Sequence, residues 1–408
     1  MSEKPYDPAR VFVRAAGLSE GIEWAFWLVL TVWWIVELNL GAFELVLLGT
    51  VLETSVLLAE TPTGVVADLI SRKRSLIIAQ VLMGIGFVWA VASTNYWVIL
   101  PAQAMFGIGW TFRSGADTAW VTDELKGIGE HTDEDLERLL IRKHRFGIAV
   151  ALVTLPTTII VGTLTSVRWV GLAIGILQIC MGLYFHLNLR EEHFVPGKHS
   201  ERGFVETLKD GILAVRSAPR LRALVLVIVA LDLGSEAFDR LGYKHFLDSG
   251  GIDDGSLVVL GILFIALAFS GLAANAVAGR VLQTNFGVAR LAVVLLAVAA
   301  VGGALASITN IVVVIAMGYM LQDSTREALW PVLEGWANRD APSQVRATVH
   351  SLMGQATAIA ELVGGLAMGV IAELTSIPVV LGIAAGLFGL SSLLATRGVE
   401  QRPAEPRH

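Results

Sequence analysis

The chain has 408 residues, 54% of them hydrophobic and only 16% charged, with a formal net charge of -6 and a mean hydropathy of +0.66. Soluble domains carry roughly a quarter charged residues, so this composition excludes an ordinary soluble globular protein and points to the membrane class. The acidic balance, with no basic run longer than Arg72 to Arg74, speaks against a nucleic-acid partner, and the single cysteine, Cys180, excludes an intramolecular disulfide or a thiolate metal centre.

Residues 1–20 are polar and show no cleavable leader, so the first apolar run is expected to act as an uncleaved anchor. A membrane span needs about 20 mostly apolar residues. Windows of that kind fall at 16–40, 43–69, 75–94, 97–120, 145–166 and 168–189, then at 220–246, 255–277, 288–307, 309–333, 346–372 and 376–396. The expected fold class is therefore an all-α membrane protein with about twelve spans. Two six-helix bundles, residues 1–190 and 220–408, flank a polar cytoplasmic linker at 191–219. With the N-terminus inside, most of the 30 basic residues fall on inner segments, while the outer loops keep Arg168 and Lys244. Cytoplasmic loops attract Lys and Arg, which predicts a multi-pass protein of the cell membrane with both termini cytoplasmic.

The second span carries Glu53 near its middle and Glu60 further on, breaks at Pro62 and Gly64, and reaches Asp68. The basic cluster Arg72, Lys73 and Arg74 follows, and the third span begins at once. The fourth span holds Arg113 and Asp117, four residues apart and expected to pair. Asp123 lies near its inner end. In the loop after it, a Thr132 cap and the face formed by Leu136, Leu139 and Leu140 predict a short interfacial helix. The seventh span holds Asp232, Glu236 and Arg240 at spacing four, plus Asp239; the tenth holds Gln322, Asp323, Arg326 and Glu327; the eleventh holds Glu361.

An ionised side chain at mid-bilayer costs roughly 2.5–3.5 kcal/mol on insertion scales, so such groups face a cavity or a partner. Arg113 with Asp117, and Glu236 with Arg240, have partners by spacing alone and can be read as helix-orienting ion pairs. Asp232, Asp323, Glu53 and Glu361 have no evident local base and are the stronger candidates for proton carriage. Among the tryptophans, Trp33, Trp110 and Trp330 are candidates for a cavity wall, although belt and packing roles are commoner. Between the halves, Gly109 and Gly318 stand in related settings. Gly279, Arg280, Gly287 and Arg290 look like a decayed copy of the first basic loop.

The run G-V-V-A-D-L-I-S-R-K-R, Gly64 to Arg74, resembles the G-x-x-x-D-x-x-x-R-K/R loop between the second and third helices of major facilitator superfamily transporters. R-S-G-A-D-T-A-W-V-T-D in the fourth span and V-R-A-T-V-H-S-L opening the eleventh resemble bacterial members related to drug-efflux carriers. The resemblance implies a site between the two halves near the bilayer midplane, lined by helices 1, 4, 7 and 10. It also implies a gate in which Asp68 faces the start of helix 11 and Arg72 pairs with Asp123 or Asp117. The fifth span offers Gly147, Pro156 and Gly162 without the Gly-Pro dipeptide of drug–proton antiporters.

The implied function is proton-coupled export of amphipathic small molecules. The alternatives are import or uniport of a polar nutrient, or a sensor without transport. There is no Walker loop, no H-E-x-x-H and no His/Cys cluster, so no catalytic residue, metal or cofactor is expected. The expected partners are a small-molecule substrate, protons and the lipid bilayer, with the protein acting as a monomer.

Overall fold

A computed structural model describes residues 6–129, 133–196, 213, 215–216, 218–252, 255–284, 286–341 and 346–400, and among these there is no strand. Helix α1 (Pro8–Val32) starts well before the first apolar window, because Asp7 accepts the backbone N–H of Arg10 at 3.0 Å and Pro8 occupies the first turn. It ends in a π turn, Trp33–Glu37. Then come α2 (Ala42–Leu69), α3 (Arg72–Ala92), α4 (Tyr96–Arg113), α5 (Ala116–Gly127), α6 (Asp133–Leu164) and α7 (Val167–Asn188). After the linker come α8 (Pro219–Gly250), α9 (Ser256–Leu282), α10 (Val288–Ser307), α11 (Val312–Asp340), α12 (Arg346–Leu374) and α13 (Ile377–Glu400).

Two expectations are corrected. The fourth span is two helices, because the chain breaks at Ser114 and at Gly115, whose φ of +71 suits glycine. The separate interfacial helix does not exist either: Leu136, Leu139 and Leu140 belong to the first turns of α6, which runs unbroken into the fifth span. Thr132, its proposed cap, lies outside the described residues, as do residues 197–212 of the linker.

Among the described residues, eight helices are long and apolar enough to cross a membrane: α2, α3, most of α6, α7, α9, α10, and most of α12 and α13. The long helices missing from that set are α1, α4, α8 and α11, which belong to the first, fourth, seventh and tenth spans. Their polar and ionisable residues lower their hydropathy. These are the helices that the resemblance expects to line a solute path.

The chain forms two compact units. One comprises Met1–Asn39, Val51–Glu201 and Gly255–Phe264; the other comprises Leu40–Thr50, Arg202–Asp254 and Ile265–His408. In the first unit α3 packs on α4 and α7, and α1 packs on α6 and α7. In the second, α10 packs on α11 and α13, and α8 on α12 and α13.

Small residues set the closest approaches, as expected where lipid removes the hydrophobic drive between helices. A β-carbon on Gly109 of α4 would stand 2.8 Å from Met83 N of α3. One on Gly318 of α11 would stand 2.6 Å from Gly302 O of α10. The two glycines that echo each other in sequence therefore perform the same packing task, each in its own unit.

Candidate functional site

The break after Arg113 organises the polar interior of the first unit. Without a continuous helix, backbone groups at membrane depth need other partners, and the carbonyl of Phe112 accepts Ser75 Oγ at 2.8 Å. Ser114 Oγ donates to Glu60 at 2.9 Å. Arg113 turns to α1, where both its terminal nitrogens meet Glu23, with Nη2 3.0 Å from Oε2. The expected Arg113–Asp117 pair is not the one formed. Asp117 sits in the first turn of α5 and caps Thr118 N at 2.7 Å, where a carboxylate suits the helix dipole.

Around this pair lies a cavity of about 330 Å³, lined by Ser19, Glu20, Glu23, Gln80, Trp110, Arg113, Ser114, Asp117 and Lys143, with Ala16, Leu76 and Phe185. Glu20 is held by Lys143 at 3.2 Å and His144 Nδ1 at 2.6 Å. Trp110 lies under the Arg113 guanidinium, 4.3 Å from its ring centre. Deeper in, Ser19 Oγ is 2.9 Å from Glu23 Oε1 and 3.0 Å from Gln80 Oε1, and its single proton can serve only one of them at a time. Gln178 Nε2 donates to Gln80 Oε1 at 2.7 Å. Gln80 is fully buried, and its Nε2 has no protein acceptor among the described residues. Such a group is costly unless water or a solute meets it.

Sequence reading missed Glu20, Glu23 and Lys143. The signal was present: Ser19-Glu20-Gly21-Ile22-Glu23 puts two acids, three residues apart, just inside the first apolar window.

The second unit holds a separate polar cluster on α8, α11 and α12. Arg326 makes a two-point pair with Asp239, both contacts at 2.9 Å. Glu236 pairs with Arg240 at 3.1 Å along α8, as the spacing implied. Asp232 is 7% exposed and accepts Thr357 Oγ1 at 2.7 Å, so its partner is a hydroxyl rather than a cation. Asp323 lies within electrostatic reach of Arg326, Asp239 and Glu327. The neighbouring Gln322 is wholly buried, with neither side-chain amide atom hydrogen-bonded among the described residues. Glu53 and Glu361 are each engaged by a neighbouring group and belong to different units. Trp33 is buried and Trp330 is exposed.

The basic loop is built into a network of its own. Ser71 caps α3 by accepting Arg74 N at 3.0 Å. Arg72 pairs with Asp123 of α5 and donates to Ala119 O at 2.7 Å, while Asp68 stays 3.9 Å away and more than half exposed. Lys73 and Arg74 continue the first turn of α3, and Gly64 has open space where a β-carbon would stand.

The segment after α7 folds back over this loop. Glu191 takes Ser71 Oγ at 2.5 Å and Lys73 N at 2.9 Å. Glu124 accepts the backbone N–H groups of Glu192 and His193 at 2.9 and 3.0 Å. Trp120 Nε1 donates to Arg190 O at 3.0 Å. Arg190 N donates to the Tyr6 hydroxyl at 2.9 Å, and burial lifts that phenol above its ordinary pKa, so it stays protonated.

No family model matches the chain, and no curated protein sequence matches it. Solved structures do match in fold. A mutant of the nucleoside transporter NupG superposes with a TM-score of 0.79 at 13% identity, covering 97% of this chain and 99% of that one. A bacterial homologue of the human lysosomal transporter Spinster, inward-facing and unoccupied, gives 0.70 at 13% identity over 99% and 100%. The POT family transporter PepTSo gives 0.74 at 9% identity over 98% of each chain. The chain is thus a multi-pass membrane protein with the all-α fold of major facilitator transporters.

Proposed function

We propose that the protein is a secondary active transporter that moves a small polar solute across the cell membrane by alternating access, coupled to protons. The fold supports transport, since its architecture works by movement of one repeat bundle against the other. The observation that carries the solute class is the cavity beside Glu23 and Arg113. It presents carboxylates, a guanidinium, an ammonium, two hydroxyls and an indole, all around about 330 Å³. A volume of that order suits a small molecule. Donors and acceptors of both signs suit a hydrogen-bonding or zwitterionic solute better than a flat apolar cation.

Asp232 and Asp323 are the proposed proton carriers, on α8 and α11, with Glu53 and Glu361 as further acids in spans. Among the described residues Asp232 and Asp323 make no direct ion pair, and ionisable residues within membrane segments are the usual proton relays of pumps and transporters. Gly64, Asp68, Arg72, Lys73, Arg74 and Asp123 form the proposed gate, and Arg72–Asp123 is its working ion pair. Both termini are placed in the cytoplasm because the basic residues then lie inside.

Export of amphipathic compounds is the second reading. Trp110 favours it, being 38% exposed on the cavity wall. The two readings separate in proteoliposomes containing the full chain and an internal pH dye. Nucleosides, amino acids and short peptides form one panel; lipophilic cations form the other. Proton flux triggered by the polar panel and lost in Arg113→Gln supports the first reading. Flux with the lipophilic cations alone establishes the second. Flux with neither, from correctly folded protein, refutes proton-coupled transport of both classes.

A further inference from the structure

At one end of the second unit, the first residues of α8 and α10 and the last of α11 and α13 line an open cleft of about 160 Å³, with Arg290 and Arg339 exposed at its surface. Three guanidinium groups line it, those of Arg220, Arg290 and Arg339, against a single carboxylate, Asp340. That carboxylate is already engaged: Oδ1 takes Arg220 Nη1 at 3.1 Å and Oδ2 takes Trp336 Nε1 at 2.8 Å. Arg220 also donates to the carbonyl of Gly398. Among the described residues, no carboxylate pairs with Arg290 or Arg339.

The start of α10 adds to this positive potential. Its N-cap is Gly287, which offers no capping side chain, and its first turn contains no acid. Arg290 stands in that turn instead, where a cation opposes the helix dipole. The first unit shows what such a position ordinarily receives. There the start of α3 is met by a capping hydroxyl, Ser71, and by the carboxylate of Glu191, which accepts Lys73 N at 2.9 Å. The loop before α10 resembles a decayed copy of the loop before α3, and among the described residues its anion is missing.

We propose that this cleft binds a phosphate group. Arg290 and Arg339 are its charged donors, and the first-turn backbone N–H groups of α10, which receive no cap from the Gly287 side chain, complete the cradle. The planar fork of arginine matches phosphate oxygens in two-point contacts, stronger than neutral hydrogen bonds. Phe286, exposed at the rim, gives an apolar flank to the ester side of a phospholipid headgroup. Inorganic phosphate would use the same donors.

The test is native mass spectrometry of the full chain in detergent, titrated with dioleoyl-phosphatidylglycerol, with and without millimolar inorganic phosphate as competitor. Three proteins are compared with wild type: the double variant Arg290→Gln/Arg339→Gln, Ala289→Glu, and the control Arg168→Gln in the first turn of α7, which belongs to the other unit. Wild type and the control should bind the lipid, and the double variant should bind at least about tenfold more weakly. Ala289→Glu places a carboxylate in the cleft while adding a favourable first-turn acid to α10, so it should lose binding and keep its melting temperature. Displacement of the lipid by inorganic phosphate identifies a soluble phosphate site. Lipid retained against phosphate identifies a headgroup site. Equal lipid binding by all four proteins, or no binding of either probe to wild type, overturns the proposal.

Discussion

Arg113 and Glu23 form a two-point ion pair that ties the break between α4 and α5 to α1. The pair spans 90 residues of sequence, and its side chains are only 17% and 9% exposed. Removing one partner from a buried pair costs about 3–5 kcal/mol, because the other charge is left without compensation. Glu23→Gln should therefore lower the melting temperature in detergent and abolish transport. Exchanging the two, Glu23→Arg with Arg113→Glu, should restore the melting temperature and leave transport more than about tenfold down. Full recovery of transport would show that the pair is scaffold and does not meet the solute.

The gate reading puts its weight on Asp123. Arg72 contacts that residue directly and only approaches the exposed Asp68. Asp123→Asn should slow transport by about tenfold, and Asp68→Asn by less than about threefold, since exposed pairs are worth about 0–1 kcal/mol. Initial rates at matched amounts of membrane-inserted protein decide the order. The reverse ranking would remove Arg72–Asp123 as the working pair.

Close helix packing gives a comparison within one helix. Gly318→Ala drives a β-carbon to within 2.6 Å of Gly302 O and 2.8 Å of Ala306 N, both backbone atoms. Overpacking of this kind costs about 1–3 kcal/mol. Gly335→Ala, also on α11, meets nothing within 4 Å and should gain about 0.5–1 kcal/mol from helix propensity. Size-exclusion profiles and melting temperatures of the two variants should move in opposite directions. Movement in the same direction would contradict the packing argument.

Proton coupling can be separated from solute movement. Asp232→Asn keeps an oxygen for Thr357 Oγ1 while removing the charge, and Asp323→Asn does the same on α11. Each variant should lose pH-gradient-driven accumulation and flatten the pH dependence of uptake, while exchange of labelled for unlabelled solute persists. Accumulation at the wild-type level in both would exclude them as proton carriers.

Much of this was legible in sequence because membrane physics writes in long runs. Apolar windows located most of the spans, and α10 begins and ends where its window does. The echo between the runs that open on Gly109 and Gly318 marks two positions that make matching close contacts. Pairing was harder to read. The i, i+4 rule linked Glu236 to Arg240 correctly, because α8 is continuous there. It failed for Arg113 and Asp117, because a glycine at positive φ interrupts the helix between them, and a rule based on helical spacing does not survive that break. Partners drawn from distant helices, such as Glu23 for Arg113 and Asp239 for Arg326, leave no local signal. Nor does the fold-back of Glu191 onto the basic loop.

That fold-back has a consequence for how the protein is made. Glu191 follows Ser71 by 120 residues, so the basic loop leaves the ribosome long before the carboxylate that caps it exists. On the proposed topology, Arg72, Lys73 and Arg74 are free during insertion to act as the signal that keeps their loop inside. Only after α7 has emerged can Glu191 close over them. On that topology the loop serves twice in succession, its cations first orienting the nascent chain, its Ser71 hydroxyl and Lys73 N–H afterwards receiving Glu191 to hold the finished bundle's end together.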